Sequence, residues 1–388
     1  MPVQANFFKQ KVAKEQEQVV NNPKCASCGA KMKRNGKTSA KTQRWRCTRC
    51  GASLTRKIDN AAKTLDSFLR WLLSKDAIAD LATSRSTFWR KTAWVWRIWP
   101  IAPLTGEVHD VVFLDGIWMQ RKAVILIAVA RGHVIGWHLA QSECATAWAA
   151  LMARIPAPTM LVSDGSYGLA KAASVVWPQT RIQRCTFHVA NQVKRCTTLK
   201  PKLEAGLELL GIANKLKDAR DVESATAWLL EYNAWCTKWD SFLKEFTTKD
   251  GKKVWTHERL RKARRSLNKL VKDTTLFTFI EMQQEYKGVW PSTNNAVESV
   301  NARLREMLRL HRGLPLIHRI KAIFWWCYIN TETPLPASEI IRVMPTDNDI
   351  KGLFLSASKK SGSSAGSPDR YGSGIVWEEF HMPTNYRQ

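Results

Sequence analysis

Apolar positions change period several times along the 388-residue chain. Leu65, Phe68, Leu69, Leu72 and Leu73 recur at helical spacing and predict a helical region over 65–99, closed by Pro100 and Pro103. From Val108 the texture becomes that of strands. Residues 108–118, 123–130 and 133–140 are short apolar runs joined by tight polar turns, the pattern of an antiparallel meander. Residues 142–155 then place Ala147, Trp148, Leu151 and Met152 on one helical face. A fourth strand is predicted at 159–163, a second helix at 166–177 and a fifth strand at 181–185. About a hundred mostly helical residues follow, with Leu203, Leu207, Leu210, Trp228, Tyr232, Trp235 and Trp239 at core spacing. A last strong helix starts at 291–294 and runs through Val297, Val300, Leu304 and Leu308. Gly and Ser cluster over 356–374 as a linker ahead of a final segment, 375–388, for which the sequence offers no function.

Charge narrows the function classes. Sixty Lys and Arg against thirty-three Asp and Glu give a net charge of +27, which predicts a polyanionic partner, nucleic acid before an acidic membrane. No apolar run approaches the roughly 20 residues needed to span a bilayer, and the first twenty residues lack a signal-peptide core. The basic stretches also lack a lipid-facing amphipathic signal. These features predict an intracellular, non-membrane protein, in which the nine Cys serve as metal ligands or small core residues rather than disulfides.

Four of those cysteines form two C-x-x-C pairs, Cys25/Cys28 and Cys47/Cys50, eighteen residues apart. That spacing predicts a tetrahedral Zn²⁺ site, with Gly29 and Gly51 making the turns behind each pair. Between them, strands at 31–34 and 43–46 would join through Asn35-Gly36, a hairpin signal. Residues 24–57 hold eleven Lys or Arg and no acid. Lys33, Arg34, Arg44 and Arg46 are therefore candidates for DNA backbone contact, the alternative being a solvated basic face. Residues 76–96 resemble a loose helix-turn-helix. Ser84 or Ser86 would cap its second helix, and Arg85 and Arg90 would face a groove. Plain three-helix packing accounts for the same pattern. A further basic run, including Arg261, Arg264 and Arg265, reads as a DNA backbone track.

The carboxylates carry the candidate chemistry. Asp115 ends Val111, Val112, Phe113, Leu114, a run apolar on both faces and so predicted to be central in the sheet. Asp164 ends Met160, Leu161, Val162, Ser163 in the same way. The order β-β-β-α-β-α-β is the ribonuclease-H order, in which the first and fourth strands are neighbours. Two carboxylates side by side repel unless a cation lies between them, and oxygen-only ligands favour Mg²⁺ or Mn²⁺. Either Asp alone also suits a cap or a turn; the pair at matching strand ends is what points to a metal. Glu298, on the second turn of the last strong helix, is the candidate third acid, with Glu306 as its competitor. Cys185 and His188 are near-site candidates. As a zinc half-site they lack a second pair, so packing and hydrogen bonding, or contact of His188 with a scissile phosphate, fit better.

These residues resemble the bacterial insertion-sequence transposases of the Mutator superfamily, which use a DDE triad. Asp115 matches the first acid. Asp164-Gly165 followed by Cys185 and His188 matches the second acid with its C-x-x-H. Asn294, Asn295 and Glu298, ahead of Asn301, Arg303 and Arg305, match the third-acid helix. The resemblance covers roughly 105–330. It implies Mg²⁺-dependent nicking at terminal inverted repeats and strand transfer into target DNA. The expected partners are double-stranded DNA at transposon ends and target and, for synapsis, a homo-oligomer of at least two subunits. No small-molecule substrate is expected, and the place of action is the cytoplasmic nucleoid. The predicted class is α/β. It comprises an extension (1–22), a zinc ribbon (23–57), a helical DNA-binding region (60–104), a ribonuclease-H-like domain in two parts (105–188 and 291–335) split by a helical insertion (189–290), and a tail (336–388). The rival readings are a DNA-binding regulator with an inactive central fold, and a structure-selective nuclease.

Overall fold

The computed structural model describes residues 22–39, 41–55, 60–76, 78–81, 83–351 and two short paired strands at 370–371 and 375–376. The N-terminal extension up to residue 21, most of the Gly/Ser-rich linker and most of the last segment lie outside the described residues. The chain forms two compact units: one runs through Ile101 and resumes at Thr333–Leu353, and the other contains Ala102–Glu332.

In the first unit β1 (Met32–Lys37), β2 (Gln43–Cys47) and β3 (Ser53–Thr55) form an antiparallel sheet in that order. Asn35-Gly36 does not make the hairpin turn. Both residues lie inside β1, where the register slips between Arg34 and Lys37. Gly36, at φ +67°, suits a bulge as well as a turn. The reversal comes later, closed by the Thr38 amide donating to the Thr42 carbonyl at 2.9 Å. Next, α1 (Ala61–Leu73) buries Leu65, Phe68, Leu69, Trp71 and Leu72. The helix α2 (Arg85–Thr92) is capped by Ser84, whose hydroxyl accepts the Thr87 amide at 3.3 Å. Phe68, Trp71, Phe88, Trp89 and Trp96 meet edge-on or tilted in one aromatic cluster. Part of the expected tail belongs to this unit. The short helix Ala337–Val343 packs on α1, and Trp99 Nε1 donates to Asp347 Oδ1 at 2.6 Å. Ile340 and Met344 of this returning segment are buried and add to the apolar core of the unit.

The second unit is built on a five-stranded mixed sheet. It contains β4 (Val111–Met119), β5 (Ala123–Ala130) and β6 (His133–Ala140), then α3 (Ala145–Met152), β7 (Met160–Ser163), α4 (Tyr167–Val176) and β8 (Arg181–Arg184). The strand order is β6-β5-β4-β7-β8, so the first and fourth strands of this sheet are neighbours and run parallel. Fully buried β5 explains its unbroken apolar run. Val112, Leu114, Val124 and Leu126 pack against Ala147, Trp148 and Leu151 of α3 and Leu169 of α4. Side chains alternate across a strand, so Asp115 points to the other face.

After β8 the chain enters a helical segment: α5 (Thr186–Thr197), α6 (Glu204–Lys215), α7 (Val222–Lys238), a hairpin of β9 (Phe246–Lys249) and β10 (Lys252–Trp255), and α8 (Glu258–Lys272). Val189, Leu209, Trp228, Tyr232, Trp235, Leu260 and Leu267 form its core. The chain returns through α9 (Thr278–Tyr286), whose Thr278 hydroxyl donates to the Ile182 carbonyl of β8 at 2.8 Å. Then α10 (Asn295–Leu310) crosses β4 and β5, and α11 (Leu316–Ile329) packs on β6.

Candidate active site and metal centres

The parallel register pairs Val112 with Leu161 and Phe113 with Val162. Continued two residues, it sets Asp115 beside Asp164 at the end of β7. Burial raises the Asp115 carboxyl above its ordinary value. The Gly116 amide opposes the rise, and the Asp164 carboxylate adds to it. A partly buried acid facing a second acid is stable as an anion only with a compensating cation or donors.

One donor comes from α10. Asn301, fully buried, donates from Nδ2 to Asp115 Oδ2 at 2.7 Å. Glu298 lies one turn earlier on the same helix and therefore on the same face. Asn294, at the helix start, does not cap it; its side-chain amide donates to the Leu114 carbonyl at 3.3 Å. Its backbone amide donates to Cys185 Sγ at 3.3 Å. Asn294 thus fixes the entry of the third-acid helix to the strand carrying Asp115. Glu306 lies eight residues further, about 12 Å along the axis at 1.5 Å per residue, beyond the Asn301 contact.

Cys185 starts α5, and its amide donates to the Ser163 carbonyl at 2.9 Å, next to Asp164. His188 follows at i+3 on the same face, with Nδ1 3.5 Å from Glu298 Oε1. Burial alone would raise the Cys185 thiol, but the His188 imidazole and the amides of His188 and Asn294 hold it below its ordinary value. The Cys185 sulfur holds His188 above its ordinary value, helped by Glu298 and Asp164 and opposed by partial burial.

Two charged residues at this site have no distinctive sequence signal. Glu143, two residues ahead of α3, accepts the Trp118 indole N–H at 2.6 Å. Burial raises its carboxyl, and the Asp164 and Asp115 charges add to the rise. In the sequence it looks like an ordinary helix-start acid. Arg184, at the end of β8, is partly buried and interacts with the Asp164 charge. A Cβ on Gly165 would fall 1.5 Å from its guanidinium, so glycine and the φ of +86° there make room for it.

Oxygen donors from Asp115, Asp164 and Glu298 share this face of the sheet, whereas Glu143 Oε1 lies on the other face, 2.6 Å from where a Cβ on Gly116 would stand. Buried Glu298 Oε1 has no hydrogen-bond partner. Such a donor set fits hard divalent cations such as Mg²⁺ or Mn²⁺.

The four N-terminal cysteines form a separate cluster whose sulfurs all lie within 4.8 Å of one another. Cys25 Sγ is 3.4 Å from Cys50 Sγ, and Cys28 Sγ is 3.4 Å from Cys47 Sγ. The Gly29 and Gly51 amides close each knuckle onto the Cys25 and Cys47 carbonyls at 2.8 and 3.1 Å. The backbone amides of Cys50 and Arg49 pull the Cys47 thiol down to about 6, while the crowding sulfurs push Cys28 up to about 12 despite the Ala30 amide. Four thiols this close cannot all ionise without a cation, and the set is compatible with zinc.

The basic candidates divide by environment. Lys33, Arg34, Arg44 and Arg46 are exposed on the small sheet, and Lys33 stands directly across from Arg46. Arg85 and Arg90 are exposed on α2. On α8 only Arg265 of the three named residues is fully exposed. Arg261 donates to the Leu243 carbonyl at 2.7 Å and lies 3.5 Å over the Trp255 ring, and Arg264 pairs with Asp240 at 2.9 Å. Both therefore hold the helical segment together, and the density of positive charge in the sequence overstates the free basic surface. Among the described residues no helix is long and apolar enough to cross a membrane.

No curated protein matches the sequence. The family model described as "Transposase, Mutator family" matches residues 109–317, from the start of β4 into α11. That span is more than half of the chain and contains Asp115, Asp164 and Glu298. The chain belongs to the Mutator family of transposases, enzymes that act on DNA.

Proposed function

We propose that this transposase is of the DDE type, with Asp115, Asp164 and Glu298 as its metal-binding acids on a ribonuclease-H-like domain split by the helical insertion. The observation that carries the reading is the meeting of three elements: parallel β4 and β7 abut at the two Asp, and Asn301 fastens the Glu298 helix to Asp115. Divalent cations at such a site activate an attacking oxygen and stabilise a leaving one in phosphodiester displacement. Asp115 would hold them from the middle of β4, Asp164 from just beyond the end of β7 and Glu298 from the helix. Asn301 orients Asp115, and Asn294 keeps the helix seated on the sheet. Arg184 offsets the carboxylate charge beside Asp164. His188, beside Glu298, would offer a hydrogen-bond donor to a phosphate.

The first unit supplies DNA contacts in this reading. Like charges facing each other across a strand pair, as Lys33 and Arg46 do, are unfavourable unless a polyanion lies over them. The ribbon fold around a zinc ion and the α1–α2 region, acting as a helix-turn-helix, would bind terminal inverted repeats. Two subunits would hold two ends. The domain limits follow the sequence reading, with 333–353 added to the N-terminal unit. Labelled terminal-repeat DNA incubated with protein and Mg²⁺ should give nicks at the element ends and, with target DNA, joined products. Nicks without joining would support a nuclease instead, and binding without nicks an inactive regulator.

A further inference from the structure

Cys185, His188 and Glu298 each offer a ligand atom, and these atoms lie within 4.8 Å of one another. Their chemistry differs from that of the carboxylate set beside them. Mg²⁺ takes oxygen donors and leaves thiolate and imidazole unused, whereas a sulfur, a nitrogen and an oxygen together suit Zn²⁺ or Co²⁺. The arrangement is built from both sides. Cys185 and His188 share one face of the first turn of α5, and Cys185 is anchored by the Ser163 carbonyl and the Asn294 amide. Glu298 comes from the start of α10. His188 Nδ1 and Glu298 Oε1 are buried atoms with no hydrogen-bond partner, yet they face each other at 3.5 Å. Donors around a tetrahedral zinc ion stand roughly 3.3–3.6 Å apart, given bonds of about 2.0–2.3 Å. The side chains of His188 and Glu298 keep about a third of their surface exposed, which leaves an approach for an ion and a fourth, solvent ligand.

We infer that Cys185, His188 and Glu298 form a second transition-metal site, distinct from the N-terminal four-cysteine cluster. It takes Zn²⁺ or Co²⁺ and by doing so withdraws Glu298 from the catalytic acids. Occupancy therefore switches the enzyme off. The metal site stands on the donor geometry alone; the inhibition rests on the role proposed above for Glu298.

The test uses the full-length protein with its four-cysteine cluster already loaded with zinc, titrated with Co²⁺. The expected result is one further equivalent of tetrahedral cobalt with a charge-transfer band of the intensity given by a single thiolate. Cys185→Ser should abolish the band and weaken cobalt binding by more than about 100-fold, beyond the 10–100-fold typical of changes outside the first ligand shell. His188→Gln should weaken binding comparably while the protein retains its circular-dichroism spectrum. No thiolate band in the wild-type protein, or a band undiminished in Cys185→Ser, overturns the site regardless of any activity result. Zn²⁺ added to a Mg²⁺ nicking reaction should reduce the rate at least tenfold, in step with occupancy. A cobalt-binding protein whose nicking ignores bound zinc would keep the metal site and overturn the switch.

Discussion

Asn301 donates a 2.7 Å hydrogen bond to the outer carboxylate oxygen of Asp115, joining a helix to a strand 186 residues earlier in the chain. It is a buried amide bound to a partly buried acid, so its loss would leave Asp115 both unoriented and less able to ionise. Asn301→Leu should therefore lower the nicking rate by on the order of 10–100-fold and raise the Mg²⁺ concentration needed for half-maximal rate. Affinity for terminal-repeat DNA should be unchanged. A rate loss that extra Mg²⁺ cannot relieve at any concentration would argue against a role through Asp115.

Gly165 combines a φ of +86° with a guanidinium 1.5 Å from where a Cβ would stand. Gly165→Ala should cost about 1–3 kcal/mol in unfolding free energy, since it imposes both backbone strain and displacement of Arg184. In the double variant with Arg184→Ala, the clash disappears and the strain remains. The cycle should accordingly show positive coupling by chemical denaturation. Strict additivity would mean that the two residues do not touch.

The sulfur cluster at Cys25, Cys28, Cys47 and Cys50 packs around little else than Met32 and Trp45. Burial that small cannot hold the three-stranded sheet, so a metal held there, zinc in the reading proposed above, would supply most of its folding energy. Cys47→Ser should release zinc and make residues 24–55 readily cleaved by protease, while the central unit stays resistant. Unchanged zinc content and protease resistance would show that the cluster is not a metal site.

His138 on β6 is buried, and burial, with Arg154 nearby, lowers its pKa from 6.5 to about 4. Folding thus favours the neutral ring. The associated stability is present above pH 6.5 and is lost as pH falls from there towards 4, about 3 kcal/mol in all. His138→Phe should flatten the fall in unfolding free energy over that interval. Parallel curves for the two proteins would contradict this.

Much of the second unit was legible in the residues. The order of strands and helices, the unbroken apolar run of β5 and the place of Asp164 just after β7 follow from local periodicity; the apolar run before Asp115 predicts a strand end there, but β4 continues past it to Met119. What periodicity could not show were contacts made at long range. Glu143 resembles any helix-start acid until the sheet brings it beside Asp115 and Asp164, and Arg184 looks like a strand-edge charge. The environment of the basic run on α8 was hidden for a related reason: pairing of Arg264 with Asp240, and stacking of Arg261 on Trp255, depend on how the helical segment closes. Asn35-Gly36 carries a turn signal that a bulge satisfies equally well. The return of 333–353 to the first unit has no local signature at all.

The most direct measurement compares wild-type protein with Asp115→Asn on labelled terminal-repeat DNA, following binding by mobility shift and cleavage at nucleotide resolution in Mg²⁺. A carboxamide keeps the shape but removes the charge that would hold the cation. The account predicts unaltered binding and cleavage reduced at least about 10³-fold, in keeping with the several kcal/mol such metal-borne stabilisation supplies. Nicking by Asp115→Asn at the wild-type rate would contradict it.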